Sequence, residues 1–170
     1  MVLYECSLNS LTIPNTITTV DKNFAAQSEI KNVYFNAKKI TNTLYSFEIN
    51  GEKYIAAPFG STKIENIVIG ESVQEVPYRF FQESLPKNIT IKSISTNFAS
   101  CSLYIFRRDN NPAPYNIYLD FTDTVTTSFL EDLQESQAHY QLHTLYSKTK
   151  LPSTYSTYLS NVKYKGVDNT

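Results

Sequence analysis

The chain has 170 residues, of which 41% are hydrophobic and 18% are charged, and its formal net charge is −1. This composition favours one folded domain over a disordered chain, and the lack of a basic surplus argues against a dedicated nucleic-acid binder. Two cysteines are too few for a disulfide framework.

The start and the hydropathy of the chain carry no targeting signal. The first stretch, MVLYECSLNS, lacks the charged region and the apolar run of a signal peptide. No window approaches the ~18 apolar residues that a membrane span needs, so we expect no membrane insertion. These features predict an intracellular or virion-borne chain, or a piece of a longer exported protein.

An apolar pattern near the start of the chain is repeated further along at a constant offset. Eight successive positions keep their apolar character, namely Leu8/Ile64, Leu11/Ile67, Ile13/Ile69, Ile17/Val73, Val20/Val76, Phe24/Phe80, Val33/Ile89 and Phe35/Ile91. The spacing of Leu8, Leu11 and Ile13 also recurs at a shorter offset, called the short step. The matching residues are Ile30, Val33 and Phe35. A period of about 20–29 residues with an L-x-x-L-x-L core is typical of a leucine-rich solenoid, in which each coil covers the apolar edge of the next.

Motifs around this core follow the same order. The first copy reads Cys6-Ser7-Leu8, Leu11-x-Ile13-Pro14, Ile17-x-x-Val20 and Phe24, and IENIVIGESVQEVPYRFFQES (64–84) and FASCSLYI (98–105) repeat parts of it. On these pieces, residues 5–37 and 62–106 resemble the BspA-type leucine-rich repeat family. The resemblance implies stacked coils and a role in surface adhesion or protein binding. The few glycines, the interruption between coils and the non-repetitive C-terminal part depart from the family pattern.

The interruption itself predicts a β-hairpin. LYSFEINGEKYIAA, residues 44–57, places two strand-like runs on either side of Asn50-Gly51, a pair that supplies the positive φ angles of a tight type I′ turn. We therefore expect a hairpin insertion over about 40–59 between the second and third coils. It would explain why the step from Val33 to Ile67, called the long step, exceeds the short step from Leu11 to Val33.

The C-terminal part predicts a mixture of elements. Residues 107–114 read as a polar loop, 115–121 as a strand and 126–142 as a helix in which Ser128 and Glu131 form a capping box. A short turn after Pro152 and a closing strand near Val162–Tyr164 follow. The predicted class is mainly β with short helices (α+β): a leucine-rich-repeat solenoid over 1–106 and a C-terminal cap or docking region over 107–170.

Residues that could carry catalysis or bind a metal are sparse. His139 and His143 are close together on the predicted helix, one turn apart, but no third ligand is indicated, and two solvated histidines are the favoured interpretation. Cys6 and Cys101 are interpreted as small buried residues at coil corners. The carboxylates are interpreted as a solvated charged face; they are Glu71, Glu75, Glu83, Glu131, Asp132 and Glu135. Three arginines, Arg79, Arg107 and Arg108, are too few for a basic track. We expect no catalytic residues, no metal and no cofactor.

The outward residues of the stacked strands form the candidate binding face. They are Thr12, Tyr34, Val68, Thr90, Tyr104 and Tyr118, and next to them Asn32, Asn66 and Asn88. Such a surface is uncharged, can form hydrogen bonds and gives large contact area at low ordering cost. The same residues also suit any half-exposed strand or tight corner, so both interpretations stay open.

Two functional hypotheses follow. The first is a non-catalytic recognition or adhesion module with a protein or carbohydrate partner. The second is a structural accessory subunit of a larger assembly such as a phage virion, as a capsid or tail protein. An enzyme is not expected, because no catalytic motif is present.

Overall fold

The computed structural model describes residues 3–42, 45–82, 84, 86–99, 115–136, 142–154 and 163–166. Its elements, in chain order, are β1 (Ser7–Ile13), β2 (Thr19–Val20), β3 (Glu29–Phe35), β4 (Thr41–Asn42), β5 (Tyr45–Ile49), β6 (Glu52–Ala56), β7 (Lys63–Ile69), β8 (Glu75–Val76), β9 (Asn88–Ile91), β10 (Asn97–Phe98), β11 (Tyr115–Leu119), α1 (Thr127–Ser136), β12 (Leu142–Ser147) and β13 (Lys163–Gly166). The described part is mainly β with one short helix, as the predicted α+β class requires.

Seven strands form one parallel sheet in the order β1-β3-β7-β9-β11-β12-β13. Leu11, Val33, Ile67 and Ile89 lie side by side across its first four strands, as the repeat predicts. The same row continues through Ile117 and Leu145. The short and long steps of the sequence therefore both bring apolar positions into the same register.

Alternation along each strand decides which face of the sheet is buried. In β3, Val33 and Phe35 are almost completely buried, whereas Asn32 is exposed and Tyr34 is half-exposed. The same pattern occurs in β7, β9 and β11, because side chains of successive residues point to opposite faces. One face of the sheet thus packs on the core, and the other, called the open face, has outward side chains in β3, β7, β9 and β11 that are exposed or half-exposed.

Four phenylalanine rings form the centre of the core. Phe35 comes from β3, and Phe59, Phe80 and Phe81 come from the turns that lead into the next strands. Ring centroids of neighbouring pairs lie 4.9–5.4 Å apart for Phe35–Phe80, Phe80–Phe81, Phe59–Phe81 and Phe59–Phe80. All four side chains are fully buried, so the sheet and the turns share one close-packed core.

Besides the large sheet there are two short parallel strand pairs, β2 with β4 and β8 with β10, which are together called the opposite wall. Both pairs contribute to the core, since the matching residues Val20 and Val76 are almost completely buried. Ile17 departs from the apolar pattern of the repeat: its side chain is 37% exposed, whereas Val73, the matching residue of the second copy, is buried. Ile17 follows the turn at Pro14, whose carbonyl accepts a hydrogen bond from the Ile17 amide.

The corners that lead into the first strands are also repeated. Glu5, Gln27 and Ser61 have positive φ angles of 53°, 57° and 55°. Gln27 follows Glu5 by the short step, and Ser61 follows Gln27 by the long step. The next residue but one begins β1, β3 or β7 in each case. Left-handed backbone is uncommon in residues other than glycine, so its recurrence at equivalent places reflects a shared turn geometry.

The predicted hairpin is present. Strands β5 and β6 pair antiparallel, with Ile49 opposite Glu52 and the turn at Asn50-Gly51. The φ angles of Asn50 and Gly51 are 52° and 80°, as a type I′ turn needs. The hairpin lies between β4 and β7, and it leaves the register between β3 and β7 intact.

The C-terminal elements join the same sheet. The predicted strand at 115–121 is present as β11, and a predicted closing strand near 162–164 is matched by β13, although Val162 lies outside the described residues. The helix is shorter than predicted, because residues from Leu142 onward form β12. The assignment of 107–170 as a cap or docking region stays a prediction.

The predicted capping box at Ser128 is wrong. The hydroxyl of Thr126 accepts a hydrogen bond from the Phe129 amide at 3.2 Å, which makes Thr126 the N-cap and places Ser128 inside the helix. The helix buries Phe129, Leu130 and Leu133, and its Phe129 ring contacts Phe98 of β10. Tyr140, within the predicted helix range, lies outside the described residues.

Replacing Phe80 by alanine tests the phenylalanine core. Because Phe80 is fully buried between Phe35, Phe59 and Phe81, we expect Phe80→Ala to lower the free energy of unfolding by about 3–5 kcal/mol. The exposed Ile17→Ala is the control, with an expected change below about 0.5 kcal/mol. Denaturant titration measures both, and equal changes would contradict this account of the core.

Candidate interaction face

The open face of the parallel sheet carries two rows of uncharged residues. One row runs through Ser10, Asn32, Asn66, Asn88, Asn116 and the buried Thr144, and its four asparagines are called the asparagine row. The other runs through Thr12, Tyr34, Val68, Thr90, Tyr118 and Tyr146 and is called the tyrosine row. Both rows come from in-register positions of the same six strands.

Eight of the nine residues predicted for a binding face lie on these two rows. The ninth, Tyr104, lies outside the described residues, and the sheet passes directly from Thr90 to Tyr118 because β9 pairs with β11. The prediction missed Asn116 and Tyr146. Asn116 could have been found, since it precedes Ile117-x-Leu119 just as Asn32 precedes Val33-x-Phe35.

The asparagine row is joined by hydrogen bonds between side chains. The Asn66 amide donates to Oδ1 of Asn32 at 2.8 Å, and the Asn88 amide donates to Oδ1 of Asn66 at 2.8 Å. Asn116 donates to Oδ1 of Asn88 at 3.1 Å, and Asn32 donates to the backbone carbonyl of Asn9 at 3.1 Å. Each amide therefore fixes the orientation of the next one.

This arrangement leaves hydrogen-bonding capacity on the surface. An asparagine side chain has two N–H donors and an oxygen with two lone pairs. Within the row, Asn66 and Asn88 each use one N–H group and accept one hydrogen bond. Each retains a second N–H and a second lone pair, repeated at the ~4.8 Å spacing of neighbouring strands.

Aromatic side chains form one end of the tyrosine row. The rings of Tyr118 and Tyr146 are stacked, with centroids 4.5 Å apart and an interplanar angle of 5°. Partial burial and the neighbouring Tyr146 raise the pKa of Tyr118. The Tyr118 phenol is therefore neutral near pH 7, and the pair offers an amphipathic surface held in place by its own contacts.

A polar cluster borders the tyrosine row at the carboxyl ends of the strands. The Tyr34 hydroxyl donates to Oε2 of Glu71 at 2.8 Å, and Nζ of Lys92 lies 2.9 Å from Oε1 of the same carboxylate. The hydrogen bonds from Lys92, from the Glu71 backbone and from Tyr34 lower the pKa of Glu71 to about 2. The same contact with Glu71 raises the pKa of Tyr34.

Gly70 makes room for this cluster. A Cβ atom at residue 70 would lie 2.3 Å from Oδ1 of Asn36 and 2.9 Å from the Tyr34 hydroxyl. That Asn36 oxygen accepts the Ser72 amide at 2.9 Å, so it is not free to move away. The glycine is therefore required by close approach, since its φ angle is not positive.

An open groove crosses the amino ends of β1, β3 and β7, beside the asparagine row. Its volume is about 690 Å³, and it is lined by Ser7, Leu8, Asn9, Glu29, Ile30, Lys31, Lys63, Ile64, Glu65 and Lys87. Lys63 pairs with Glu29 and Lys87 pairs with Glu65. Most of its charges are thus neutralised by a partner on a neighbouring strand or turn.

Of the predicted histidine and cysteine candidates, the structure describes His143 and Cys6, which lie in β12 and just before β1. His143 lies in β12 and not on the helix, so the predicted helical spacing from His139 is wrong; His139 itself lies outside the described residues. Cys6 is unbridged and half-buried, and it is less buried than predicted. Cys101, Glu83, Arg107 and Arg108 lie outside the described residues.

Among the described acidic and basic candidates, Glu75 and Arg79 are held in separate contacts. Glu75 pairs with Lys39 at 3.1 Å, and the Arg79 guanidinium lies 5.1 Å from the centre of the Tyr78 ring. Glu131, Asp132 and Glu135 lie on α1. Among the described residues, no group of three or more histidines, cysteines and carboxylates could hold a metal ion.

No protein-family model, no curated protein and no solved structure matches the chain. In the part of the chain that the structure describes, no helix has both the length and the apolar character needed to cross a membrane. The function of the open face, also called the outer face, must therefore be inferred from the chemistry of its own residues.

Asn66→Ala tests whether the asparagine row stabilises the sheet. The change removes the donor to Asn32 and the acceptor of Asn88, so we expect the free energy of unfolding to fall by about 1–2 kcal/mol. The control is Asn15→Ala in an exposed turn. Chemical denaturation measures the two changes, and a loss no greater than that of the control would mean that the row adds no stability.

The pH dependence of unfolding tests the Glu71 cluster. The pKa of Glu71 is about 2 in the folded protein and 4.5 ordinarily, so its contribution is complete above pH 4.5 and is lost as the pH falls towards 2. Because its side chain is 59% exposed, we expect Glu71→Gln to cost only about 0.5–1 kcal/mol at pH 7.

The informative quantity is the difference between the two proteins. The stability gap between native protein and Glu71→Gln should narrow below pH 4.5 and close near pH 2. Lys92→Met should reduce this stability gap at pH 7, since it removes the hydrogen bond that lowers the pKa of Glu71 the most. A gap that stays constant from pH 7 to pH 2 would exclude a role for the ionised carboxylate.

Proposed function

We propose that this chain is a non-catalytic recognition module, built as a short leucine-rich-repeat solenoid of the BspA type with a hairpin insertion. Its partner is a protein or a carbohydrate that binds the outer face of the parallel sheet. Residues 107–170 cap the stack or dock on a partner.

The solenoid is supported by the repeated register. Leu11, Val33, Ile67 and Ile89 are aligned although a short step, a long step and a second short step separate them in the sequence. Three corners with positive φ angles recur at equivalent positions. A stack of coils in which each strand covers the apolar edge of its neighbour accounts for both features.

The observation that carries the recognition role is the asparagine row beside the tyrosine row on the open face. Parallel sheets usually have both faces covered, so an open face with two ordered, uncharged rows is unusual. Its amides are fixed by one another and keep outward donors and acceptors. Such preorganised groups lose little conformational entropy when a ligand binds.

The second candidate is a structural accessory subunit of a larger assembly, such as a virion capsid or tail. It is supported by the sheet edge at β1, which among the described strands has a neighbour on one side only. In this case the protein should elute together with partner chains, and residues 107–170 should resist protease only in the complex.

Two arginines on the outer face test the recognition role. Val68→Arg/Thr90→Arg places charge on the tyrosine row without removing a hydrogen bond of the asparagine row. A glycan array and a displayed protein library are the probes, and we expect this variant to lose at least about tenfold in affinity for the ligands of the native chain. The control is Thr18→Arg/Thr19→Arg, which adds the same charge at exposed positions of the opposite wall.

The outcomes separate the two candidates. Equal binding by both double variants would exclude the outer face as the site. Failure of the native chain to bind either library, together with elution in a complex, would contradict the recognition role and support the accessory subunit. Thermal melting of each variant shows whether lost binding reflects lost folding.

A further inference from the structure

The first strand of the sheet has an open edge. Strand β1 pairs with β3 on one side, and among the described strands it has no neighbour on the other side. It is seven residues long and contains no charged residue, no proline and no glycine. Edge strands of monomeric proteins are usually protected by charges, proline, bulges or short length. In β1 the one irregularity is an interrupted alternation at Asn9-Ser10, since Leu8 and Leu11 are three residues apart and both pack on the core.

Two of the three apolar residues of this edge are incompletely covered, whereas Ile13 is buried. Leu8 and Leu11 are half-buried, whereas Ile30 and Val33, which occupy the same register positions in β3, are almost completely buried. The difference arises because β3 has a strand on each side. A further strand beside β1 would bury Leu8 and Leu11 to the same extent.

The sequence of β1 is chemically palindromic. Ser7-Leu8-Asn9-Ser10-Leu11-Thr12 reads hydroxyl, leucine, polar, polar, leucine, hydroxyl in either direction. If a second copy of this strand runs antiparallel with the two-fold axis between Asn9 and Ser10, each Leu8 lies opposite Leu11 of the second copy. The interruption of alternation at Asn9-Ser10 then lies at the axis in both copies, and residues directly opposite each other in an antiparallel pair share a face, so both leucines stay on the core side.

We propose that β1 is a homodimer edge, where two copies of the chain pair their β1 strands antiparallel across a two-fold axis. A second copy suits this edge because an uncharged strand does not repel itself, and because a two-fold interface requires a self-complementary surface. The pairing satisfies the outward backbone groups of both strands and joins the two sheets into one. The inference is independent of the proposed recognition role.

Charge swapping at the axis tests the pairing. Asn9 and Ser10 are both exposed, and each lies opposite the other residue of the second copy. In a dimer of Ser10→Lys, two introduced lysines would flank the two-fold axis, and in a dimer of Asn9→Glu, two introduced glutamates would. Repulsion between these like charges should keep each variant from pairing with itself. An equimolar mixture should pair again, because the introduced lysine of one copy faces the introduced glutamate of the other.

Size-exclusion chromatography with light scattering measures the result over about a hundredfold range of concentration, since association follows mass action. The native chain should approach twice its 19.4 kDa as concentration rises. Each single variant should stay at the monomer mass, and the mixture should regain the dimer. Ser95→Lys, an exposed change far along the chain from β1, is the control and should dimerise like the native chain.

Several outcomes would overturn the proposal. They are a native chain that stays monomeric at every concentration, single variants that dimerise like the native chain, and a mixture that stays monomeric. Circular dichroism and thermal melting of each variant establish that it is folded. The hydrogen bond from Asn32 to the Asn9 backbone carbonyl is kept in both variants, so no loss of folding is expected.

Discussion

The parallel sheet depends on one constraint: strands of matching register must cover the apolar side chains of their neighbours. Val33, Ile67 and Ile89 are each almost completely buried because a strand of matching register lies on both sides. The phenylalanine core, the short pairs of the opposite wall and the recurring corners all keep that register. Burial of these side chains makes the main favourable contribution to the free energy of folding, since that contribution scales with the apolar area removed from water.

The sequence predicted those features that repeat. A recurring apolar spacing identified the aligned residues of β1, β3, β7 and β9, and Asn50-Gly51 identified the hairpin, because each depends on local chemistry or on a periodic pattern. The non-repetitive elements were harder. The helix was extended over Leu142 because helical and strand patterns overlap in a short apolar run, and only the pairing of β12 with β11 decides between them.

The residues of the candidate face could be predicted from the sequence, but the hydrogen bonds that join them could not. Outward positions follow from strand alternation, so Asn32, Asn66 and Asn88 were identified from the sequence alone. The hydrogen bonds that join them depend on side-chain orientation across strands, which no pattern of letters specifies. The Glu71 cluster was missed for a related reason, because Tyr34, Glu71 and Lys92 are far apart in the sequence and meet only after folding.

The hairpin between β4 and β7 has a practical consequence for engineering this protein. It lies within the long step from Val33 to Ile67, yet the strands on either side of it stay in register. The fold therefore tolerates extra chain at this point, and lengthening a surface loop costs little closure entropy. The Asn50-Gly51 turn is therefore a suitable place for an epitope tag or a fluorescent label, because it belongs to neither row of the outer face.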